Sequence, residues 1–165
     1  MPVKQPQATQ PKLPSKPIIG WREWIAFPEF GIKAVKAKID TGARTSCIHA
    51  LHVKPFSRDG QDWVKFQVHP LQRDAKTTVD IEAELVEYRR VVSSTGHASL
   101  RPVVVTAIKI FDIQWSIELT LTSRDEMGFR MLLGREAVRG RFLIDPSKSF
   151  LGGRRKVKKK KPRRK

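Results

Sequence analysis

Between residues 113 and 122, five apolar side chains (Ile113, Trp115, Ile117, Leu119, Leu121) alternate without interruption with Gln114, Ser116, Glu118, Thr120 and Thr122. A period of two places every second side chain on one face, so this stretch reads as a strand with one dry and one wet side and excludes a helix. The same period recurs in Val64, Phe66 and Val68, in Ile81, Ala83 and Leu85 set against Asp80, Glu82 and Glu84, and in Val35, Ala37 and Ile39 set against Lys36 and Lys38. Residues 102–111 are rich in β-branched side chains, which suit a pleated surface. Asp59-Gly60 and Gly96 mark turns. Only residues 134–140 read as a short helix, with Gly140 at its end. Many short strands and one late helix predict an all-β barrel or sandwich. Trp21, Trp24 and Trp115 are expected in its core, and Trp63 at partial exposure.

The chain's 165 residues fit one such unit with tails. Its net charge of +17 comes mainly from the ends. Residues 154–165 hold ten of the 33 Lys and Arg, and residues 1–19 hold three, which leaves 20 basic against 16 acidic residues between them, a body of only +4. A like-charge block repels itself, so residues 152–165 are expected to be a disordered polybasic tail that meets RNA, ribosomes or other polyanions through residues 154–165. Residues 1–17, with five prolines, read as a disordered leader. The folded unit is expected over residues 18–151. No apolar run approaches the roughly 18 residues of a membrane span. The start has no secretory pattern, and the single Cys47 excludes an intrachain disulfide. The expected location is cytoplasmic.

Residues 35–50 carry the most chemistry. A strand runs into Asp40, followed by Thr41, Gly42, Ala43 and Arg44. By itself Asp-Thr-Gly is a turn. Far downstream, Leu132 and Leu133 run into Gly134 and Arg135, just before the helix. These elements resemble those of retropepsin-type aspartic proteases, in which an apolar strand enters Asp-Thr-Gly-Ala and an apolar-apolar-Gly element packs beside the catalytic loop. The similarity is closer to a bacterial subgroup labelled both ATP-dependent zinc proteases and retropepsin-like peptidases, on four motifs in order: Gly20–Trp24, Asp40–Ser46 with His49-Ala50, Leu133–Glu136 and Asp145–Ser147. The resemblance covers roughly residues 18–151. It implies a closed retropepsin-like β-barrel and a peptidase whose catalytic loop is Asp40, Thr41 and Gly42. The stretch Val91–Pro102, with Gly96 near its tip, takes the place of the family's flap. The subgroup is linked to the enzyme that adds glutamates to a ribosomal protein tail, which implies a glutamate-tailed substrate.

An aspartic protease needs two adjacent carboxylates sharing one proton. This chain holds one Asp-Thr-Gly, so the resemblance implies a homodimer. Asp112 and Asp145 are the one-chain alternatives, and both read better as turn residues. Arg44, Gly96 and Arg101 are the expected substrate-binding residues, because guanidinium groups grip carboxylates and Gly96 lies in the flap. Arg89 and Arg90 flank the same segment. Ser46 lacks a His-Asp partner pattern and reads as structural. No cofactor is expected. Cys47 and His49 would share a strand face while His52 points the other way, no His-Glu-x-x-His occurs, and zinc is unsupported by this spacing. A phosphate-binding Gly-rich loop ending in Gly-Lys is also absent. Two other readings stand beside the peptidase: a non-catalytic β-barrel docking on ribosomal RNA through its tail, and a zinc-dependent protease.

Overall fold

The computed structural model describes residues 15–71, 74, 76–123 and 128–153. The Pro-rich stretch up to residue 14 and the basic run from 154, with the polyanion contact expected of it, lie outside the described residues. Twelve strands form in chain order: β1 (Ile18–Gly20), β2 (Arg22–Phe27), β3 (Ile32–Asp40), β4 (Ser46–His49), β5 (Leu51–Arg58), β6 (Gln61–Val68), β7 (Val79–Glu84), β8 (Glu87–Val92), β9 (Ala98–Ile110), β10 (Ile113–Thr122), β11 (Met131–Gly134) and β12 (Leu143–Asp145). One helical turn, α1 (Arg135–Val138), follows β11 directly. The helix is shorter than the predicted 134–140, because Gly134 is spent as the last residue of a strand.

Six strands close into a ring in the order β10-β4-β11-β3-β2-β9, with β9 returning to β10, and β8 extends β9 beyond the ring. The 13-residue β9 therefore belongs to both the barrel wall and the β8–β9 hairpin. A three-stranded sheet, β5-β6-β7, and a parallel pair, β1-β12, complete the fold. This is the mostly β, ring-like arrangement that the period-two segments predict. Val35, Ala37, Val64, Phe66, Val68, Ile117, Leu119 and Leu121 all lie in one buried cluster. The hydroxyls of Thr120 and Thr122 on the predicted wet face of β10 are buried too, because that end of the strand is covered by its parallel neighbour β4.

The N-terminal motif departs from expectation. Trp115 is in the core, whereas Trp21 and Trp24 are only half-buried and Glu23 between them is fully buried. The strand parity of β2 points Glu23, Ile25 and Phe27 inward. Glu23 meets no cation there. Its carboxylate accepts the backbone N–H groups of Gly20 (2.9 Å), Leu151 (2.8 Å) and Gly152 (3.2 Å). Trp24 stacks on Phe150 at 5.5 Å, and the Arg22 guanidinium lies over Phe150 and Trp21. Gly-Trp-Arg-Glu-Trp thus clamps the segment that follows Asp145-Pro-Ser, which joins two of the four motifs.

The site end of the barrel is set by strand order. β3 and β4 are consecutive in sequence but not neighbours, because β11 inserts between them, parallel to β3 and antiparallel to β4. The loop of residues 41–45 must cross the end of β11. Gly134 pairs with Asp40 in register directly beneath it.

Candidate active site

Asp40 is half-buried at the last position of β3. Its Oδ1 accepts the N–H groups of Gly42 (3.1 Å) and Ala43 (3.2 Å), an Asx-type turn that fixes the carboxylate in place. A Cβ on Gly42 would sit 3.3 Å from that same oxygen, so the glycine keeps the carboxylate's seat open. The β11–α1 junction locks the loop from below. Arg135 N–H donates to Ala43 O (2.7 Å), Glu136 N–H to Arg44 O (3.1 Å), and the Arg135 guanidinium to Thr41 O (3.0 Å). Gly134 N–H donates to the Ser46 hydroxyl at 2.9 Å, which makes Ser46 a buried tether, as its isolation from any His-Asp pattern predicted. A Cβ on Gly134 would lie 2.6 Å from Thr45 C and 2.8 Å from Ser46 N. Only glycine lets the two segments approach this closely.

Asp40 opens into a cleft of about 490 Å³, walled by Gly42, Thr45, Cys47, Thr122 and Leu132 and covered by Val91–Thr95 at the end of the β8–β9 hairpin. Arg101 enters it from β9. Its side chain is buried, its Nε donates to Ser99 Oγ at 2.9 Å, and its guanidinium faces the Cys47 thiol. Burial pushes that thiol up from its ordinary pKa, with Arg101 opposing the rise and Asp40 adding to it. Asp40 is the only carboxylate among the described residues lining this cleft. Asp112 occupies the two-residue turn between β9 and β10, and Asp145 accepts the Ser147 N–H (2.9 Å) and hydroxyl (2.6 Å) in a turn that holds its carboxyl below the usual range.

The remaining expected residues are spread more widely. Gly96 is at the hairpin tip in the left-handed region (φ 80°), where its N–H donates to Ser93 O at 2.9 Å. Thr41 is exposed. Arg44 does not face the Asp40 cleft. It lines a separate one of about 320 Å³ with Trp115, Glu118, Glu136 and Arg141. The strand direction of the loop turns it away, and only Thr45 touches both clefts. Arg90 is exposed. Arg89 is already paired: its guanidinium donates to Glu118 at 2.6 Å and to Glu87, tying the hairpin base to β10. Hydrogen bonding to Arg89 holds Glu118 below the usual carboxylate range.

The candidate zinc donors Cys47, His49 and His52 are not gathered at one place. Among the described residues no three His, Cys, Asp or Glu side chains converge. Cys47 lines the Asp40 cleft, His49 is buried beside the Arg130 backbone, and His52 lies in an exposed bulge, so this donor set is divided among three places. Sequence reasoning singled out Asp40 and Arg101, which line one cleft here, and it left two local roles unread. One is the Cys47 wall, and the other is the Arg135 clamp, whose only sequence signal is its place after Leu-Leu-Gly.

Comparison with known proteins bears on this geometry. A "probable alpha-L-glutamate ligase" of Shewanella pealeana is 48% identical over 139 residues, 84% of this chain. One of Desulfotalea psychrophila is 50% identical over 133 residues, 81% of this chain. The chain spans only about 30% of the length of these relatives. A crystal structure of a Legionella pneumophila protein of unknown function superimposes with a TM-score of 0.69 at 27% identity, covering 84% of this chain and 99% of that one. The family model described as retropepsin-like aspartic endopeptidase RimB matches residues 18–155, and the chain belongs to this RimB-like family.

Proposed function

We propose that this chain is an aspartic-type peptidase that works as a homodimer, each copy supplying one Asp40, and that it shortens acidic, glutamate-bearing peptide tails. The observation that carries the reading is the isolation of Asp40. It is a rigidly held carboxylate at the base of a covered cleft, and among the described residues no second carboxylate lines that cleft. A water needs both a base and an acid to attack an amide, so the partner carboxylate comes from a second copy across a two-fold axis.

In such a pair the two Asp40 carboxyls share one proton. The ionised one takes a proton from water as its oxygen bonds to the scissile carbonyl carbon. The protonated one donates to the carbonyl oxygen. Collapse breaks the C–N bond: the proton held by the first carboxyl passes to the leaving amine, and the second carboxylate takes back a proton from the gem-diol, which leaves a carboxylic acid and restores the shared-proton pair. The Gly42 and Ala43 N–H groups hold each carboxylate in orientation, so little of the geometry is left to be organised during reaction. The buried Arg101 guanidinium supports an acidic substrate, since it forms a charge-assisted hydrogen bond with a side-chain carboxylate in the cleft. The relatives' name as glutamate ligases supports the same substrate chemistry.

The test is mass spectrometry of a glutamate-tailed peptide incubated with wild type and with Asp40→Asn, both with chelator present. Shortening by wild type alone is expected. Equal shortening by both refutes Asp40 as the catalytic group. Mixing wild-type and Asp40→Asn chains in equal amounts under subunit exchange leaves about one quarter of dimers with two Asp40 residues. Activity proportional to that fraction is expected, whereas activity proportional to total wild-type chain refutes the shared site.

A further inference from the structure

The Asp40 cleft adjoins a second one on the far side of Arg101. This neighbouring cleft, of about 500 Å³, shares Arg101 and Thr122 with the first and is lined in addition by His52, His97, Ser99 and Leu100. Its two imidazoles arrive from different elements by irregular routes. His52 sits where the pairing of β5 with β6 slips between Leu51 and Lys54, and its backbone is left-handed (φ 52°). A bulge of this kind re-aims a side chain, and a non-glycine residue pays strain to occupy it. His97 closes the β8–β9 turn: its carbonyl accepts the Ser93 N–H at 2.9 Å, and its own N–H donates to Ser93 Oγ at 3.2 Å. Among the described residues no carboxylate lines this cleft. Its polar groups are one buried guanidinium, two imidazoles and several hydroxyls, a set that suits an anion.

We propose that this second cleft is an accessory subsite for the side-chain carboxylate of an acidic residue flanking the scissile bond. His52 and His97 donate ring N–H groups to it, and Arg101 forms the wall it shares with the Asp40 cleft. An extended peptide repeats its side chains on one side roughly every 6.8 Å. A single acidic side chain therefore cannot fill both clefts, but a peptide with several acidic residues can. The subsite thus converts a preference for one carboxylate into a preference for acidic runs. This inference rests on the peptidase reading and adds to it two specificity residues that take no part in the bond chemistry.

The test separates the two. A glutamate-rich peptide carrying a non-hydrolysable hydroxyethylene isostere at its centre is titrated calorimetrically into the full chain at pH 7, alongside a series in which each Glu is replaced in turn by Gln. Wild type is expected to prefer Glu at one flanking position by roughly tenfold. His52→Asn/His97→Gln is expected to lose that preference at that position alone while keeping its affinity for the matching Gln peptide, which also shows that it is folded. Asparagine tolerates the left-handed backbone at position 52. His97→Glu is expected to invert the preference. A preference unchanged in the double variant overturns the subsite and leaves the peptidase reading standing, whereas a preference absent from wild type at every position overturns the subsite together with the acidic-substrate part of that reading. No binding of any isostere peptide to wild type overturns both.

Discussion

Replacing Glu23 tests whether a buried carboxylate, with no cation beside it among the described residues, holds Gly20 to Leu151 and Gly152. In Glu23→Gln, one side-chain oxygen still accepts the Gly20 and Leu151 N–H groups. The new amide nitrogen then faces the Gly152 N–H, donor against donor, where Oε2 accepted at 3.2 Å. One orphaned donor near the surface and the weakening of two charge-assisted bonds cost about 2 kcal/mol together. In Glu23→Leu all three donors lose their partner. Leu151 and Gly152 can turn to water, but the Gly20 N–H is buried, so the cost rises to about 4 kcal/mol. Urea unfolding at pH 7 gives both differences. Amide hydrogen exchange gives the location: Leu151 and Gly152 should exchange faster in Glu23→Gln while the barrel strands keep their wild-type rates. A Glu23→Gln chain as stable as wild type, with unchanged exchange at 151 and 152, refutes the clamp. Equal acceleration over all strands refutes its local character.

Gly134→Ala is expected to cost about 3 kcal/mol, the upper range for overpacking, because the added methyl meets backbone atoms of Thr45 and Ser46 that cannot rotate away; urea unfolding checks this, and a loss below about 1 kcal/mol shows that the loop is free to move. The Arg89 pair predicts a pH signature. Glu118 is held below its usual pKa in the folded chain, so its stabilising effect is complete above about pH 4.5 and fades as pH falls through the folded value. The stability gap between wild type and Arg89→Gln should therefore be widest at neutral pH and narrow by pH 3, measured by urea midpoints. A gap that does not change with pH removes the ion pair as its source. The pair is half exposed, so the gap is small at any pH.

The barrel was legible because its strands advertise themselves. Val35, Ala37 and Ile39 or Ile117, Leu119 and Leu121 have only one sensible fold partner, a common dry interior, and the structure places them there. The Asp40 turn was legible for a different reason: Asp-Thr-Gly combines an acceptor, a turn and a residue without a side chain, and each serves locally. What was not legible depends on strand order. That β11 separates β3 from β4 cannot be inferred from any period in residues 131–134, yet it is what turns Arg44 away from Asp40 and obliges position 134 to be glycine. Glu23 failed on hydrophobicity. Reasoning by side-chain type put Trp21 and Trp24 inside and gave Glu23 no place, whereas β2's parity and three backbone donors outweighed the ordinary cost of burying a carboxylate.

The position of Arg101 follows from the same strand order. Register pairs it with Arg89 across the hairpin, and their side chains lie on one face of it. Two guanidiniums so close would repel each other over an empty cleft. The fold answers by committing one of them: Arg89 is neutralised by Glu87 and Glu118, and Arg101, with no ion pair among the described residues, stays as the cleft's buried cation. A buried cation held by a serine hydroxyl and a neighbouring thiol, with no carboxylate paired to it among the described residues, carries a desolvation cost that an anionic ligand removes. The barrel thereby stores, in the cleft that Asp40 lines, the charge that the proposed acidic substrate would pair. The Arg89 ion pairs act in its support, since they keep the neighbouring charge from competing for the same carboxylate.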